Sequence, residues 1–393
     1  MLEFTMNNRE IKILFDGTST QSSTRAAFHG GGEYAKFMLR AAIEHGYRFD
    51  IVFSNRLFTD SQIEELVSGS DGIEVYHVDS KYEIYNLLED GNYDTFYSAL
   101  PTSYSDYQGS ARLIGVVHGL RAAELPWDYY RYKYESQWKQ RFVSWLISHC
   151  PYIQRCLKRK HISQSHQLLR VEGAKFVTAS NHTKYAMLAF YPELKPENIN
   201  VFYSPFSAKQ SDFPEQDRDF YLMVSGNRYE KNVYRAMKVF DNLFSHGRLS
   251  GKKVVITGCG KEPFWNEIKN KNRFELKPYV SKEELDTLYG QAFCFVYPSL
   301  NEGFGYPPLQ AMAGGTPVIA SSATSIPEVC DDAACYFSPK NEDDLAARIL
   351  RVEGDAAYRR TLINRGRRRV AELLELQNKQ IEEELQLIFN PKK

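Results

Sequence analysis

Short runs of β-branched and aromatic residues alternate along this chain with longer stretches in which apolar residues recur at helical spacing. That alternation predicts an α/β fold with parallel sheets. The predicted strands of the first half are Ile11–Phe15, Phe49–Phe53, Ile73–Val78, Thr95–Tyr97, Leu113–Val117, Phe176–Ala179 and Ile199–Tyr203. A polar, proline-containing segment, Ser204–Asp219 (SPFSAKQSDFPEQDRD), then reads as an interdomain linker. The pattern restarts with Tyr221–Val224, Lys253–Thr257, Phe274–Leu276, Ala292–Tyr297, Val318–Ala320 and Ala334–Phe337. The expected architecture is two doubly wound, Rossmann-like domains, residues 1–205 and 206–376, with ligands at the carboxyl ends of the strands.

Composition changes this picture little. A chain of 393 residues is long for one core, which suits two domains. Lys+Arg and Asp+Glu both number 49, so bulk charge gives no case for a nucleic-acid partner. The six cysteines are scattered without a C-x-x-C pair and read as buried free thiols in a reducing cytosol. Met1–Glu10 (MLEFTMNNRE) has no apolar leader, and no apolar run approaches the ~20 residues that span a bilayer. A cytoplasmic protein is expected, with peripheral docking at the inner face of a membrane left open.

The chemistry is concentrated in Glu302–Ser322, EGFGYPPLQAMAGGTPVIASS. Gly303 and Gly305 flank Phe304 and let the backbone turn tightly against a ligand. Tyr306 follows, and Pro307 and Pro308 suit a first helical turn. The free N–H groups of that turn, with the helix dipole, favour an anion such as phosphate. Glu302 stands just before, placed to bond sugar hydroxyls. Together they suggest a pocket for a sugar joined to a diphosphate.

This stretch resembles the C-terminal signature of the GT-B glycosyltransferases, in particular glycosyltransferase family 4, retaining enzymes that use nucleotide-sugar donors. The resemblance covers essentially the whole chain, with one departure: Gln310 stands where the family usually has a second Glu. In the family that Glu holds ribose hydroxyls. A Gln accepts more weakly and adds a donor, so it is either a tolerated substitution or a sign of a deoxyribose donor such as a dTDP-sugar. The resemblance implies the GT-B plan, two Rossmann-like domains facing across a cleft, with a last helix, here Gln377–Phe389, crossing back onto the first domain.

Gly226-Asn227-Arg228-Tyr229-Glu230-Lys231-Asn232 follows the first strand of the second domain and resembles the family's G-R-x-x-x-K-N segment. Arg228 as a planar fork and Lys231 as a point charge would stabilise the leaving diphosphate; the plainer reading is a solvated loop. Gly31 and Gly32, in Phe28-His29-Gly30-Gly31-Gly32-Glu33-Tyr34, lie between first strand and first helix, where the family has a glycine loop near the donor. His118 follows the strand Leu113–Val117, where the family often has a His facing the donor sugar; a structural His bonded to a carbonyl is the alternative. Arg121 and Glu124 would contact acceptor or pair with each other.

Tyr129–His161 mixes aromatics with eight Lys and Arg residues against Glu135 alone. It is either an interfacial face for anionic lipid or a helical excursion covering the first domain. Asp217-Arg218-Asp219 resembles a metal-binding D-x-D but sits in the linker, so it reads as solvated charge. No metal and no cofactor are expected.

The resemblance implies a metal-independent hexosyltransferase. It would move a hexose from a nucleotide-diphosphate sugar to a hydroxyl of a glycan or lipid-linked glycan acceptor in polysaccharide or cell-surface glycan synthesis. Three rivals share the plan. A nucleotide-sugar epimerase would turn over donor without acceptor, a glycan phosphorylase would carry pyridoxal on a lysine, and a non-catalytic subunit, suggested by Gln310, would bind no donor. Fold alone does not choose among them.

Overall fold

Strands that are apolar along their whole length belong in a sheet covered on both faces, and that is how both halves of the chain fold. The computed structural model describes residues 11–23, 30–125, 127–207, 218–249, 251–260 and 262–390, without the side chains of 161 and 164–166. In the first half β1 (Ile13–Asp16), β2 (Asp50–Ser54), β3 (Val75–Val78), β4 (Thr95–Ser98), β5 (Arg112–Val117), β6 (Lys175–Thr178) and β7 (Ile199–Val201) form a parallel sheet ordered β3-β2-β1-β4-β5-β6-β7. In the second half β8 (Phe220–Met223), β9 (Lys253–Ile256), β10 (Phe274–Leu276), β11 (Cys294–Tyr297), β12 (Val318–Ser321) and β13 (Ala334–Phe337) form another, ordered β10-β9-β8-β11-β12-β13. Each predicted strand coincides with one of these. Strand order reverses between β1 and β4 and between β8 and β11, and these switch points are where such sheets bind ligands.

Helices cover both faces of each sheet. Apolar residues of Gly30–Glu44, among them Tyr34, Met38 and Leu39, pack over β1 and β2, and the strongly amphipathic Val233–Ser245 packs over β8 and β9. The last helix is one continuous element, Ala356–Phe389, of 34 residues, about 50 Å long at 1.5 Å per residue. Leu362, Val370 and Leu373 bury against the second sheet's cores, while Leu385, Ile388 and Phe389 bury against the first. The crossing helix expected over Gln377–Phe389 is thus the far end of a longer rod. On its way it fastens the connection between the halves: the Tyr203 and Phe206 N–H groups donate to Gln380 and Gln377 Oε1, each at 2.8 Å.

Several expectations need correction. Gly30, Gly31 and Gly32 are not a loop but the opening turn of the helix Gly30–Glu44; Phe28 and His29 lie outside the described residues. Arg218 is not solvated: it is buried, and its guanidinium donates to the Gly315 carbonyl at 2.7 Å, while Asp219 is exposed and Asp217 lies outside the described residues. Four cysteines (Cys259, Cys294, Cys330, Cys335) are buried free thiols, but Cys150 is half-buried and Cys156 exposed.

Candidate active site at the facing switch points

Lys231 and Glu302 meet at the mouth of the second sheet. Lys231 ends the short turn after β8, and Glu302 lies on the loop after β11, so the two flank that sheet's switch point. The Lys231 Nζ donates to Glu302 Oε1 at 2.7 Å and to the Tyr297 hydroxyl at 3.2 Å. Both side chains are largely enclosed, at 8% and 11% exposed. Burial pushes the Glu302 carboxyl up, but the Lys231 ammonium, together with the Ser299 and Tyr297 hydroxyls, reverses this and holds it below the ordinary carboxylate range.

The loop that carries Glu302 is held by its backbone. The Glu302 N–H donates to Thr324 Oγ1 at 2.9 Å, and Ser325 Oγ donates to the carbonyls of Glu302 and Phe304 at 3.0 and 2.8 Å. Gly305, at φ 119°, turns the chain into the helix Tyr306–Ala313, with Pro307 and Pro308 in its first turn. A side chain would strain that conformation, so the glycine is required. Phe304 is buried in the core, its ring against Tyr203 and Tyr306. Gln310 lies half-buried on the same short helix.

The first domain meets this loop closely. A Cβ on Gly303 would lie 1.5 Å from the His118 carbonyl oxygen, and Ser180 Oγ donates to the Gly303 carbonyl at 2.9 Å. His118 Nε2 donates to the Ala99 carbonyl at 2.9 Å, and the ring stands edge-on to Tyr34. A Cβ on Gly31 would press on Leu100, 2.6 Å away, and on the His118 ring; one on Gly30 would come within 3.9 Å of the Tyr306 ring. Gly31, His118, Gly303 and Tyr306 are therefore gathered at one seam, which is where the sequence motifs are expected to converge. Gly32, in the same helical turn as Gly31, is buried.

Arg228, Arg121 and Glu124 are engaged in ways their sequence context did not suggest. Arg228 Nε donates to Glu230 Oε1 at 2.9 Å, and Arg121 Nη1 donates to the same oxygen at 2.8 Å from the first domain. Glu124 accepts from His182 Nε2 at 2.7 Å and from Asn301 Nδ2 at 3.4 Å. Arg121 and Glu124 do not pair with each other in this arrangement.

Two features escaped the sequence reading. Asp16, buried at the end of β1, accepts from Ser19 and Ser98 hydroxyls at 2.7 and 2.6 Å and from Tyr104 OH at 3.1 Å, so it is the polar centre of the first sheet's switch point. An acid directly after an apolar strand is the signal that marks it. The second is a cavity of about 530 Å³ on the second domain, beyond the ends of β8 to β10, lined by Asn227, Gly258, Cys259, Trp265, Phe274 and Tyr279 among others. Burial pushes the Cys259 thiol up to about 12, so this lining is neutral.

Fold and seam together define a protein of two Rossmann-like sheets whose switch points face one another. Residues 206–369 match the family model of glycosyl transferases, group 1. That match covers the second half of the chain, and the whole chain has the GT-B fold. The O-antigen chain mannosyltransferase RfbU of Salmonella typhimurium is 29% identical over 200 residues, 47% of this chain and 53% of that protein. O-antigen chain mannosyltransferase B of Escherichia coli is 46% identical over 88 residues, 22% of this chain and 23% of its own length. The chain thus spans about half of the first relative and under a quarter of the second. Among solved structures, sucrose-phosphate synthase from Thermosynechococcus elongatus superposes with TM-score 0.64 at 14% identity, over 96% of this chain and 99% of that one. WaaG, described as a glycosyltransferase involved in lipopolysaccharide biosynthesis, does so with TM-score 0.64 at 11% identity, over 96% and 99%.

Proposed function

We propose that this protein is a retaining hexosyltransferase that moves a hexose from a nucleotide-diphosphate sugar to a hydroxyl of a glycan acceptor during polysaccharide synthesis. The observation that carries the reading is the enclosed Lys231–Glu302 pair, poised at a sheet switch point opposite the first domain's glycine turn. Mannose is the first sugar to test, because relatives named as O-antigen mannosyltransferases match the chain.

In this reading Glu302 orients donor hydroxyls. Lys231 and Arg228 stabilise the departing diphosphate, helped by the N–H groups that open the helix Tyr306–Ala313. The cavity around Asn227 and Tyr279 receives the base, its neutral apolar walls suiting a flat aromatic ring. Gly31, Gly32 and Tyr306 line the approach, and Gln310 faces the ribose. Phe304 acts by holding the loop. His118, its ring fixed by the Ala99 carbonyl, borders the sugar. Closure along the seam excludes water that would otherwise hydrolyse the donor. A thermal-shift panel of sugar nucleotides tests this, since a ligand bound only by the folded state raises its apparent stability. Stabilisation by one donor and its nucleoside diphosphate is expected; none by any would remove the reading.

The acceptor would be lipid-linked, with the protein lying against an anionic membrane. Supporting this is the helix Trp138–His149, which is inside out: its buried residues are Ser144 and Ser148, while Trp138, Phe142, Val143, Trp145 and Leu146 are exposed. The exposed Arg155, Lys158, Arg159 and Lys160 follow on the next helix, Pro151–Leu169. Apolar bulk beside basic charge suits a lipid interface. Among the described residues no helix is long and apolar enough to cross a membrane. The preceding stretch does not serve this face: Lys133 pairs with Glu267 and Arg131 lies over the Trp127 ring at 3.9 Å.

A further inference from the structure

The four-residue helix Arg121–Glu124 of the first domain touches both loops that build the Lys231–Glu302 pair. Glu124 accepts from Asn301, the neighbour of Glu302, and Arg121 donates to Glu230, the neighbour of Lys231. One oxygen of Glu230 is shared by two guanidinium groups from different domains, Arg121 at 2.8 Å and Arg228 at 2.9 Å. We propose that Arg121 is a positioning residue for the leaving diphosphate, acting through Glu230 to free the charge of Arg228 when the domains close. The proposal rests on the reading of the cleft as a sugar-nucleotide site.

The Glu230 side chain is 13% exposed, so water screens it poorly. Burial pushes its carboxyl up, but Arg121, and then Arg228, bring it below the ordinary range, so it is ionised. One carboxylate beside one guanidinium cancels; beside two, it leaves one positive charge over. Glu230 and Arg228 sit on the second domain and Arg121 on the first, so the surplus exists only when the domains meet. The contact of Gly303 with His118, three residues before Arg121, marks that meeting. With the domains apart, Arg228 is neutralised by its own neighbour and stabilises a departing phosphate weakly. Bond breaking is thereby tied to closure, and donor in an open cleft is spared hydrolysis.

The test measures nucleoside diphosphate release from GDP-mannose, UDP-glucose, UDP-galactose, UDP-N-acetylglucosamine and dTDP-glucose, with nucleoside diphosphate binding followed by calorimetry. On the donor that wild type uses, Arg121→Ala should lower kcat about ten- to hundredfold and weaken affinity for the free nucleoside diphosphate by a smaller factor, because Arg228 then meets it neutralised. Arg121→Lys should keep most of the rate. Adding Glu230→Gln to Arg121→Ala should restore much of it, because the charge that neutralises Arg228 is gone; a merely structural contact would give no such rescue. Wild-type kcat in Arg121→Ala, or a double variant no faster than Arg121→Ala, would overturn the proposal while leaving the donor site standing. Wild-type protein that binds no nucleoside diphosphate and turns over no member of the panel would overturn the donor-site reading and this proposal with it.

Discussion

Replacing Glu384 by Gln removes a carboxyl that lies fully inside the first domain, where the last helix crosses it. Tyr34 OH donates to both carboxyl oxygens, at 2.6 and 2.7 Å, and Tyr97 OH reaches one at 3.4 Å. Burial is the largest influence, and the two tyrosines only partly offset it, so the group is pushed up from its ordinary 4.5 to about 7. Between those values the native protein keeps a proton that the unfolded chain has released. Stability is therefore highest below about pH 4.5 for this group and falls as pH rises through about 7. At about 1.4 kcal/mol per pH unit the gap amounts to about 3 kcal/mol. Urea unfolding of wild type and Glu384→Gln at pH 5, 6.5 and 8 reads this as a difference between two slopes, in which all other titrating groups cancel. The variant should lack the loss, being about 3 kcal/mol less sensitive to pH over that span. Parallel slopes would show that Glu384 ionises in the native state as it does in water, and the reasoning would fail. Tyr34 sits on the helix that opens with Gly30–Gly32.

Gly303→Ala should lower turnover about hundredfold by holding the seam open, with nucleoside diphosphate binding retained, since its Cβ would occupy the space of the His118 carbonyl; normal turnover in that variant would refute the closed seam. Co-sedimentation with anionic vesicles should be reversed by salt and weakened when Lys158, Arg159 and Lys160 become Ser, at about 1 kcal/mol per charge; equal partitioning into neutral vesicles would rule out the lipid face. For Gln310, dTDP should protect wild type against heat better than UDP or GDP if the pocket is built for deoxyribose, and Gln310→Glu should favour the ribonucleotides, because a carboxylate accepts strongly from paired ribose hydroxyls. Better protection by UDP or GDP would make Gln310 a tolerated substitution.

The strands were legible because burial on both faces leaves an unbroken apolar run, a signal carried within a few consecutive residues. The EGFG loop was legible because its glycines and prolines answer local backbone demands, such as the φ of 119° at Gly305. What could not be read was the choice of partner over long separations. Trp127–Tyr134 is charged and aromatic and looks like surface, yet it docks on the second domain. Asp128 pairs with Arg235 at 2.7 Å, and Tyr134 accepts from the Tyr234 N–H at 3.0 Å and packs edge-on to Phe264. Nothing local distinguishes those side chains from solvated ones. The same holds for Glu384, which looks like any exposed acid on a polar helix until the fold places two tyrosines around it. Arg218 misled for the converse reason: its neighbours are acids in a polar linker, while its carbonyl partner, Gly315, lies 97 residues away.

The central claim is that the Lys231–Glu302 pair grips the leaving end of a nucleotide-diphosphate sugar. Nucleoside diphosphate release by Lys231→Ala, set beside wild type on the same donor and with thermal unfolding followed in parallel, tests it most directly. Loss of one preorganised charge at a buried leaving group costs about 3–4 kcal/mol in the transition state, so a folded variant about a hundredfold or more slower is the expected result. A folded Lys231→Ala protein releasing nucleoside diphosphate at close to the wild-type rate would contradict the account.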